Sequence, residues 1–297
     1  MDDHHHHNTN DTDNDPQAIC FGEILFDHIE DQLHLGGAPL NFAYYLSQLG
    51  ISVAMVSAIG NDELGDRALS LLVKAGIDCR WVAESDKPTG VVEVSLIDGQ
   101  PSYSIIEGVA WDFIPNPVDI GGELFYLGTL AQRSPGNSKI AHNISHHHFK
   151  HVFLDVNLRQ HYYSPQIIVS SLSHATFVKM SEDEWPVIAK ITATTSLEAL
   201  ITKYSLRGVA LTKGAAGAEI ITSGNRLVHA GFPAVVVDAV GAGDAFSAVI
   251  AAALLKNISL ESALEVACRV GAYIVSKAGA QVPLPDELRL LFGPHYS

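Results

Sequence analysis

Between Ala18 and Lys277, short apolar runs rich in Val, Ile and Phe alternate with segments whose apolar positions recur at helical spacing. The short runs read as buried strands and the longer segments as helices with one apolar face. That order predicts parallel strands joined by crossover helices. "AICFGEIL" reads as the first strand; "APLNFAYYLSQLG", apolar at Leu40, Ala43, Tyr44 and Leu46, reads as a helix stopped by Gly50. "ISVAMVSAIG" is the next strand, followed by the helix "DELGDRALSLLVKAG" with Asp62 as its N-cap and Gly76 at its end.

The period changes to two over "TGVVEVSLIDGQPSYSII", on both sides of Asp98-Gly99, which predicts a hairpin. Such a ribbon does not fit inside a parallel sheet and is expected as a flap beside it. Alternation resumes with strands in "ELFYLGTL", "HVFLDVN", "ATFVKM" and "GVALTKG". "GAEIITSGNRLVHA" reads as a second hairpin turning at Ser223-Gly224-Asn225, and helices over about 243–256 and 260–277 close the pattern. With no internal repeat and no Pro, Gly or Ser-rich linker, residues 16–297 are expected to form a single domain with lid segments near 27–36 and 89–107. The polar opening "MDDHHHHNTNDTDNDP" lacks the apolar region of a secretory signal, so 1–15 reads as a disordered or tag-like tail.

The chain has 297 residues, 47% of them hydrophobic, enough to bury the core of one large α/β domain. Its longest unbroken apolar run, Ala248 to Leu255, falls well short of the ~18 residues of a bilayer span, so no membrane partner is expected. Cys20, Cys79 and Cys268 lie far apart, which suits core thiols in a reduced cytoplasm. Eighteen Lys and Arg against 33 Asp and Glu give a formal charge of -15, which opposes nucleic-acid binding. Any phosphate must therefore be held locally, by helix N-termini, a few placed cations and a divalent metal.

The segment Gly241-Ala242-Gly243-Asp244 joins a β-branched run, Val235 to Val237, to a helix of small residues. Glycines there let the backbone approach a ligand, and the first turn of the helix offers unpaired N–H groups to an anion. It is not a GxGxxG dinucleotide fingerprint, since Phe246 occupies the third glycine position, and GxxxxGK[ST] occurs nowhere. Open α/β sheets bind ligands at the carboxyl ends of their strands. The residues expected there are Asp27, Gly36-Gly37 with Asn41, Asp155 with Asn157 and Arg159, Lys179 with Glu184, Thr212-Lys213-Gly214, and Asp238 through Asp244. Asp27, Asn41 and Asp155 suit hydroxyl groups; Arg159, Lys179, Lys213 and the glycine turn suit phosphate.

"LGGAPLNFAYYLSQLG" resembles the first signature of the PfkB, or ribokinase, family of carbohydrate kinases, and "DAVGAGDAFSAVIAA" resembles the second, usually DTxGAGD. "DVNLRQHYY", "VKMSEDEW", "LTKGAAGA" and "SKAGAQVPLP" follow in the family's order and approximate spacing, so the resemblance covers nearly all of 18–285. It implies a ribokinase-like three-layer α/β/α fold with a mostly parallel central sheet and a small β-lid. It also implies transfer of the ATP γ-phosphoryl group to a sugar hydroxyl with Mg2+, and K+ activation in some members. On this resemblance Asp244 is the catalytic base, and the amides of Gly241, Ala242 and Gly243 hold the charge of the transferred group. Asp27, Gly37, Asn41, Asn157 and Arg159 bind the sugar. Lys179, Thr212, Lys213, Gly214, Gly217 and Gly243 lie along the nucleotide. Glu184 organises the hydrated Mg2+, and Asp238 is a candidate K+ contact. A homodimer through the lid is expected, because lids of this type expose an apolar face.

Two residues depart from the family pattern: Ser181 stands where it usually has Asn, and Ala239 where it usually has Thr. Ala38-Pro39 and the arginine of "DVNLR" look more like fructokinases, which makes fructose, converted to fructose 6-phosphate, the first expectation for the substrate. A 2-keto-3-deoxygluconate kinase or another PfkB sugar or nucleoside kinase is the alternative, and a non-catalytic sugar- or nucleotide-binding regulator is the reading of another class. Trp111 and Tyr162-Tyr163 read as packing residues. In "AHNISHHHFKH" the pairs His142/His146 and His147/His151 have i,i+4 spacing, but the segment lies outside every motif and reads as a histidine-rich surface helix end, not a metal site.

Overall fold

Successive side chains of a strand point to opposite faces, and in this chain both faces of the central strands are apolar. Ala18 and Cys20 enter one core and Ile19 and Phe21 the other, and the same division separates Leu124 and Tyr126 from Phe125 and Leu127. Only a sheet covered on both sides buries such strands, which is the condition of a parallel sheet flanked by helices.

The computed structural model describes residues 15–97 and 100–290. Its strands are β1 (Ala18–Phe21), β2 (Leu25–Ile29), β3 (Gln32–Gly36), β4 (Val53–Gly60), β5 (Asp78–Ser85), β6 (Gly90–Ile97), β7 (Gln100–Ile105), β8 (Leu124–Leu127), β9 (His151–Asp155), β10 (Phe177–Ser181), β11 (Gly208–Thr212), β12 (Ala218–Thr222) and β13 (Asn225–His229). Its longer helices are α1 (Ala38–Gln48), α2 (Glu63–Lys74), α3 (Pro135–Ser145), α4 (Pro165–His174), α5 (Trp185–Thr192), α6 (Leu197–Tyr204), α7 (Ala242–Lys256) and α8 (Leu260–Val275). The main sheet runs β13-β12-β11-β10-β9-β8-β1-β4-β5, parallel except where β12 and β13 add an antiparallel hairpin at one edge. Residues of α1, α2, α7 and α8 fill the core on one face and those of α3, α4, α5 and α6 the core on the other. No helix among the described residues is long and apolar enough to cross a membrane.

A separate four-stranded sheet, β3-β2-β6-β7, forms the lid. It explains where the first expected strand breaks. "AICFGEIL" is two strands, because Gly22 turns the chain at φ 146° and sends β1 into the main sheet and β2 into the lid. β6 and β7 pair in the alternating register expected, from Val92 opposite Ile105 to Ile97 opposite Gln100; the turn at Asp98-Gly99 and the tail over 1–14 lie outside the described residues. Asp62 caps α2 as expected, accepting from the Gly65 amide at 2.8 Å. The valine run before the glycine turn differs from expectation. Val235, Val236 and Val237 pair in no strand and are 81%, 65% and 61% exposed, since the edge of the sheet is already closed by β13.

Candidate active site

The glycine turn sits where α7 starts. Gly241 has φ 82°, and a side chain there would collide with the Ala280 carbonyl, so the position demands glycine. The first amides of α7 have no partner inside the helix and carry the positive end of its dipole. A Cβ on Gly243 would lie 3.1 Å from Lys179 Nζ, which puts an ammonium group against the same turn. Asp244, in the first turn of α7, is partly exposed, and its Oδ2 accepts from Asn41 Nδ2 at 2.9 Å. Asn41 is buried near the start of α1 and in turn accepts from Gln281 Nε2 at 3.2 Å, so both ends of its amide are committed.

A buried charge network lies at the carboxyl end of β9. Asp155 is fully buried and accepts from Lys179 Nζ at 3.3 Å, Ser247 Oγ at 3.2 Å and Tyr126 OH at 3.4 Å. Burial of the carboxyl group and the charge of Asp155 push Asp244 up to about 6, against the opposing pull of Asn41, Lys179 and Arg159. A carboxylate tuned this way is ionised at neutral pH yet a better proton acceptor than a free one.

Three carboxyl groups share one cation. Arg159, exposed beyond the end of β9, is close enough to favour the charged forms of Glu23, Asp27 and Asp244 alike. Burial raises Asp27 in the lid strand β2, and His34 across the β2–β3 ladder opposes the rise together with Arg159. Burial also pushes Glu23 up to about 7, with Asp244 adding to the rise. Gly37, at φ 107°, leaves no room for a side chain against the Glu23 carbonyl and so closes the gap between the end of β1 and the start of α1. Asn157 takes a left-handed conformation at φ 39°, tolerated by Asn, just before Arg159.

The expected nucleotide side is assembled differently from the sugar side. Ser181 and Glu184 form the reciprocal pair of a capping box: the Glu184 amide donates to Ser181 Oγ at 3.2 Å and the Ser181 amide to Glu184 Oε2 at 2.8 Å. Glu184 Oε1 accepts from the Leu158 amide at 2.8 Å, so serine in place of the usual asparagine still fixes the glutamate between β9 and β10. Each of its oxygens keeps a lone pair for a metal-bound water, and a hydrated divalent cation fits there. Thr212 accepts through its carbonyl from the Glu182 amide at 2.9 Å. Lys213 turns onto Glu219 of β12, which Arg226 also holds at 2.6 Å, so its charge is spent on that edge of the sheet. Gly214, at φ 55°, faces open space, whereas Gly217 at φ 90° is needed because a side chain would strike the His229 carbonyl. Asp238 accepts from the amides of Val240 at 3.0 Å and Gly279 at 3.1 Å, tying the turn to the C-terminal loop.

Hydrogen bonding and charge coupling thus link Asn41, Lys179 and Arg159 to Asp244 and Arg159 to Asp27, whereas the Lys213 side chain is held at Glu219. Glu23 and Gln281 belong to the site and escaped the sequence reading. Glu23 follows an apolar run in "AICFGEIL" and was open to detection as a strand-end carboxylate; Gln281 carries no signal, because only the packing of the C-terminal loop on α1 brings it to Asn41. Trp111 is buried, and the Arg133 guanidinium lies 4.0 Å from its ring centroid and 4.7 Å from that of Tyr162, a packing stack and not a sugar platform.

Comparison with known proteins adds four findings. A family model described as "pfkB family carbohydrate kinase" matches residues 9–287. The chain is 28% identical over 275 residues to a fructokinase of Escherichia coli, covering 84% of this chain and 88% of that one. In structure it resembles an uncharacterised sugar kinase from Pyrococcus horikoshii in complex with ATP, with TM-score 0.80 and 25% identity over 91% of this chain and 96% of that one. It also resembles a Vibrio cholerae fructokinase in a fructose, ADP and calcium ion bound form, with TM-score 0.77 and 24% identity over 93% of this chain and 98% of that one.

Proposed function

The chain belongs to the pfkB family of carbohydrate kinases, and we propose that the sugar it phosphorylates with ATP is fructose, at the 6-hydroxyl. The observation that supports this reading is the Asn41–Asp244 contact at 2.9 Å beside the glycine turn, where Lys179 Nζ also lies.

Asp244 takes the proton of the attacking hydroxyl as its oxygen bonds to the γ-phosphorus; the bond from that phosphorus to the bridging oxygen breaks, ADP departs, and the proton later passes to solvent. Asn41 donates to Oδ2, and in this reading Oδ1 accepts the hydroxyl proton. The α7 amides from Gly241 to Gly243 and the Lys179 ammonium face the negative charge of the transferred group, where fixed donors stabilise it at no reorganisation cost. A divalent cation held through water at Glu184 would neutralise phosphate charge in a reaction whose loose transition state depends mainly on positioning. The lid contributes Asp27 to the sugar side and excludes water, which competes with the sugar for the phosphoryl group.

Electrostatics favours a neutral acceptor. Asp244, raised to about 6, is ionised at pH 7, and Glu23 and Asp27 stand near it with Arg159 and Lys179 as the cations that favour the charged carboxylates, so the carboxylate of an acidic sugar such as 2-keto-3-deoxygluconate would enter a region already rich in acidic groups. ADP release measured with fructose, 2-keto-3-deoxygluconate and a panel of nucleosides tests this. The expected result is a kcat/KM for fructose at least tenfold above the others; a higher value for the acidic sugar overturns the substrate assignment.

A further inference from the structure

The histidines of "AHNISHHHFKH" do not act through the i,i+4 pairs alone. His142 and His146, at the end of α3, meet His174, the last residue of α4, and their ligand atoms all lie within 4.8 Å of one another. The Nε2 atoms of His142 and His146 are 3.1 Å apart, and those of His146 and His174 3.3 Å. The rings stand mutually edge-on, at 82°, 82° and 83°. His151 takes no part: it is buried at the start of β9 with its Nδ1 3.5 Å from Arg207.

These separations fit a metal. A tetrahedral zinc ion with Zn–N bonds of about 2.0–2.1 Å holds its nitrogens about 3.3–3.4 Å apart. The tautomer fits as well. His174 Nδ1 lies 2.8 Å from the Ser170 carbonyl, which can only accept, so the proton is on Nδ1 and the Nε2 lone pair points into the cluster. That backbone contact is the outer-shell hydrogen bond that orients ligating imidazoles. The C-terminal ends of both helices add the negative pole of their dipoles.

We propose that His142, His146 and His174 bind a late first-row transition ion of the Zn2+ class through Nε2, with water completing a tetrahedral shell, and so clamp α3 to α4. Three imidazoles select Zn2+, Cu2+ or Ni2+ over the oxygen-seeking Mg2+, so this ion does not compete for the Glu184 site. The two sites also lie at opposite ends of the strands β9 and β10. His146 and His174 precede β9 and β10, whereas Asp155, Ser181 and Glu184 lie at or just beyond their carboxyl ends.

The test is Zn2+ titration of the full chain carrying H4A, H5A, H6A and H7A, so that the tail histidines cannot bind, beside the same chain with H174A added and with H142A and H146A added. One Zn2+ per chain is expected, and each added change should weaken it by more than the ~10–100-fold that loss of an outer-shell partner costs. Without metal the three proteins should melt together, and Zn2+ should raise the melting temperature only of the first. Cobalt(II) in place of zinc should show the intense visible bands of a four-coordinate site. Absence of Zn2+ binding in the first protein, or equal affinity in the H174A protein, overturns the proposal.

Discussion

Asn41 Nδ2 donates to Asp244 Oδ2 at 2.9 Å across a sequence separation of 203 residues. The bond joins the two signatures of the chain, the "GGAPLN" entrance of α1 and the "GAGD" entrance of α7. Because Gln281 holds the other end of the Asn41 amide, the Asp244 side chain is tied to the C-terminal loop as well.

Asp244→Asn should lower kcat by about 10²–10⁴-fold, the contribution of a positioned general base. Fructose affinity should change little, since the amide keeps the shape of the carboxylate. Steady-state ADP release together with sugar binding by calorimetry checks both halves, and turnover within a few-fold of the parent enzyme would remove Asp244 from its role.

The pH dependence follows from the same residue. Asp244 is raised to about 6, so the base is protonated below that value, and kcat/KM should fall as pH drops through about 6. Glu23, raised to about 7, gains its proton first on the way down and is already neutral when Asp244 titrates. Glu23→Gln should therefore leave the acidic limb near 6. A limb that moves by a full pH unit in that variant would assign it to Glu23.

Lys179→Met should destabilise the fold by about 3–5 kcal/mol, because it strands the fully buried Asp155 without its cation. Adding Asp155→Asn should recover part of the loss. Urea unfolding of the single and double variants measures the coupling; equal stability of the single variant and the parent would show that the pair carries no weight.

Asp62→Ala should cost about 1–2 kcal/mol at pH 7, the range of a lost N-cap. Its carboxylate accepts from the Gly65 amide at 2.8 Å and from the Thr89 amide and hydroxyl at 2.8 Å and 2.6 Å, fastening α2 to the root of the lid. Burial alone would raise its pKa, but the Thr89 and Gly65 hydrogen bonds outweigh it and hold the group below its ordinary 3.8. The stabilisation is thus present above 3.8 and lost as pH falls through the lower folded value. The stability gap between variant and parent should narrow as the pH falls below 3.8; a gap that stays constant there would contradict this.

Much of this protein was legible from its sequence alone. Period-two and helical spacing located most of the strands and the helices α1, α2, α7 and α8, because side-chain direction in each is set by local backbone geometry. The glycines at 37 and 241 marked turns that a Cβ would block, Asn41 and Asp244 stood out by their place in the two signatures, and Asp27 stood out as a strand-end carboxylate. Three things needed the tertiary structure. Gly22 passes the chain from the main sheet to the lid, a decision about partners that an unbroken apolar run does not encode. The Lys213 charge goes to Glu219, because a hairpin edge competes with the cleft for that ammonium. And the pairing of Gln281 with Asn41, like that of His174 with His142 and His146, joins residues from separate segments that only packing brings within a few ångströms. Hydrogen bonds and charge coupling depend on distance in space, and spacing along the chain reports it only within one helix or one strand pair.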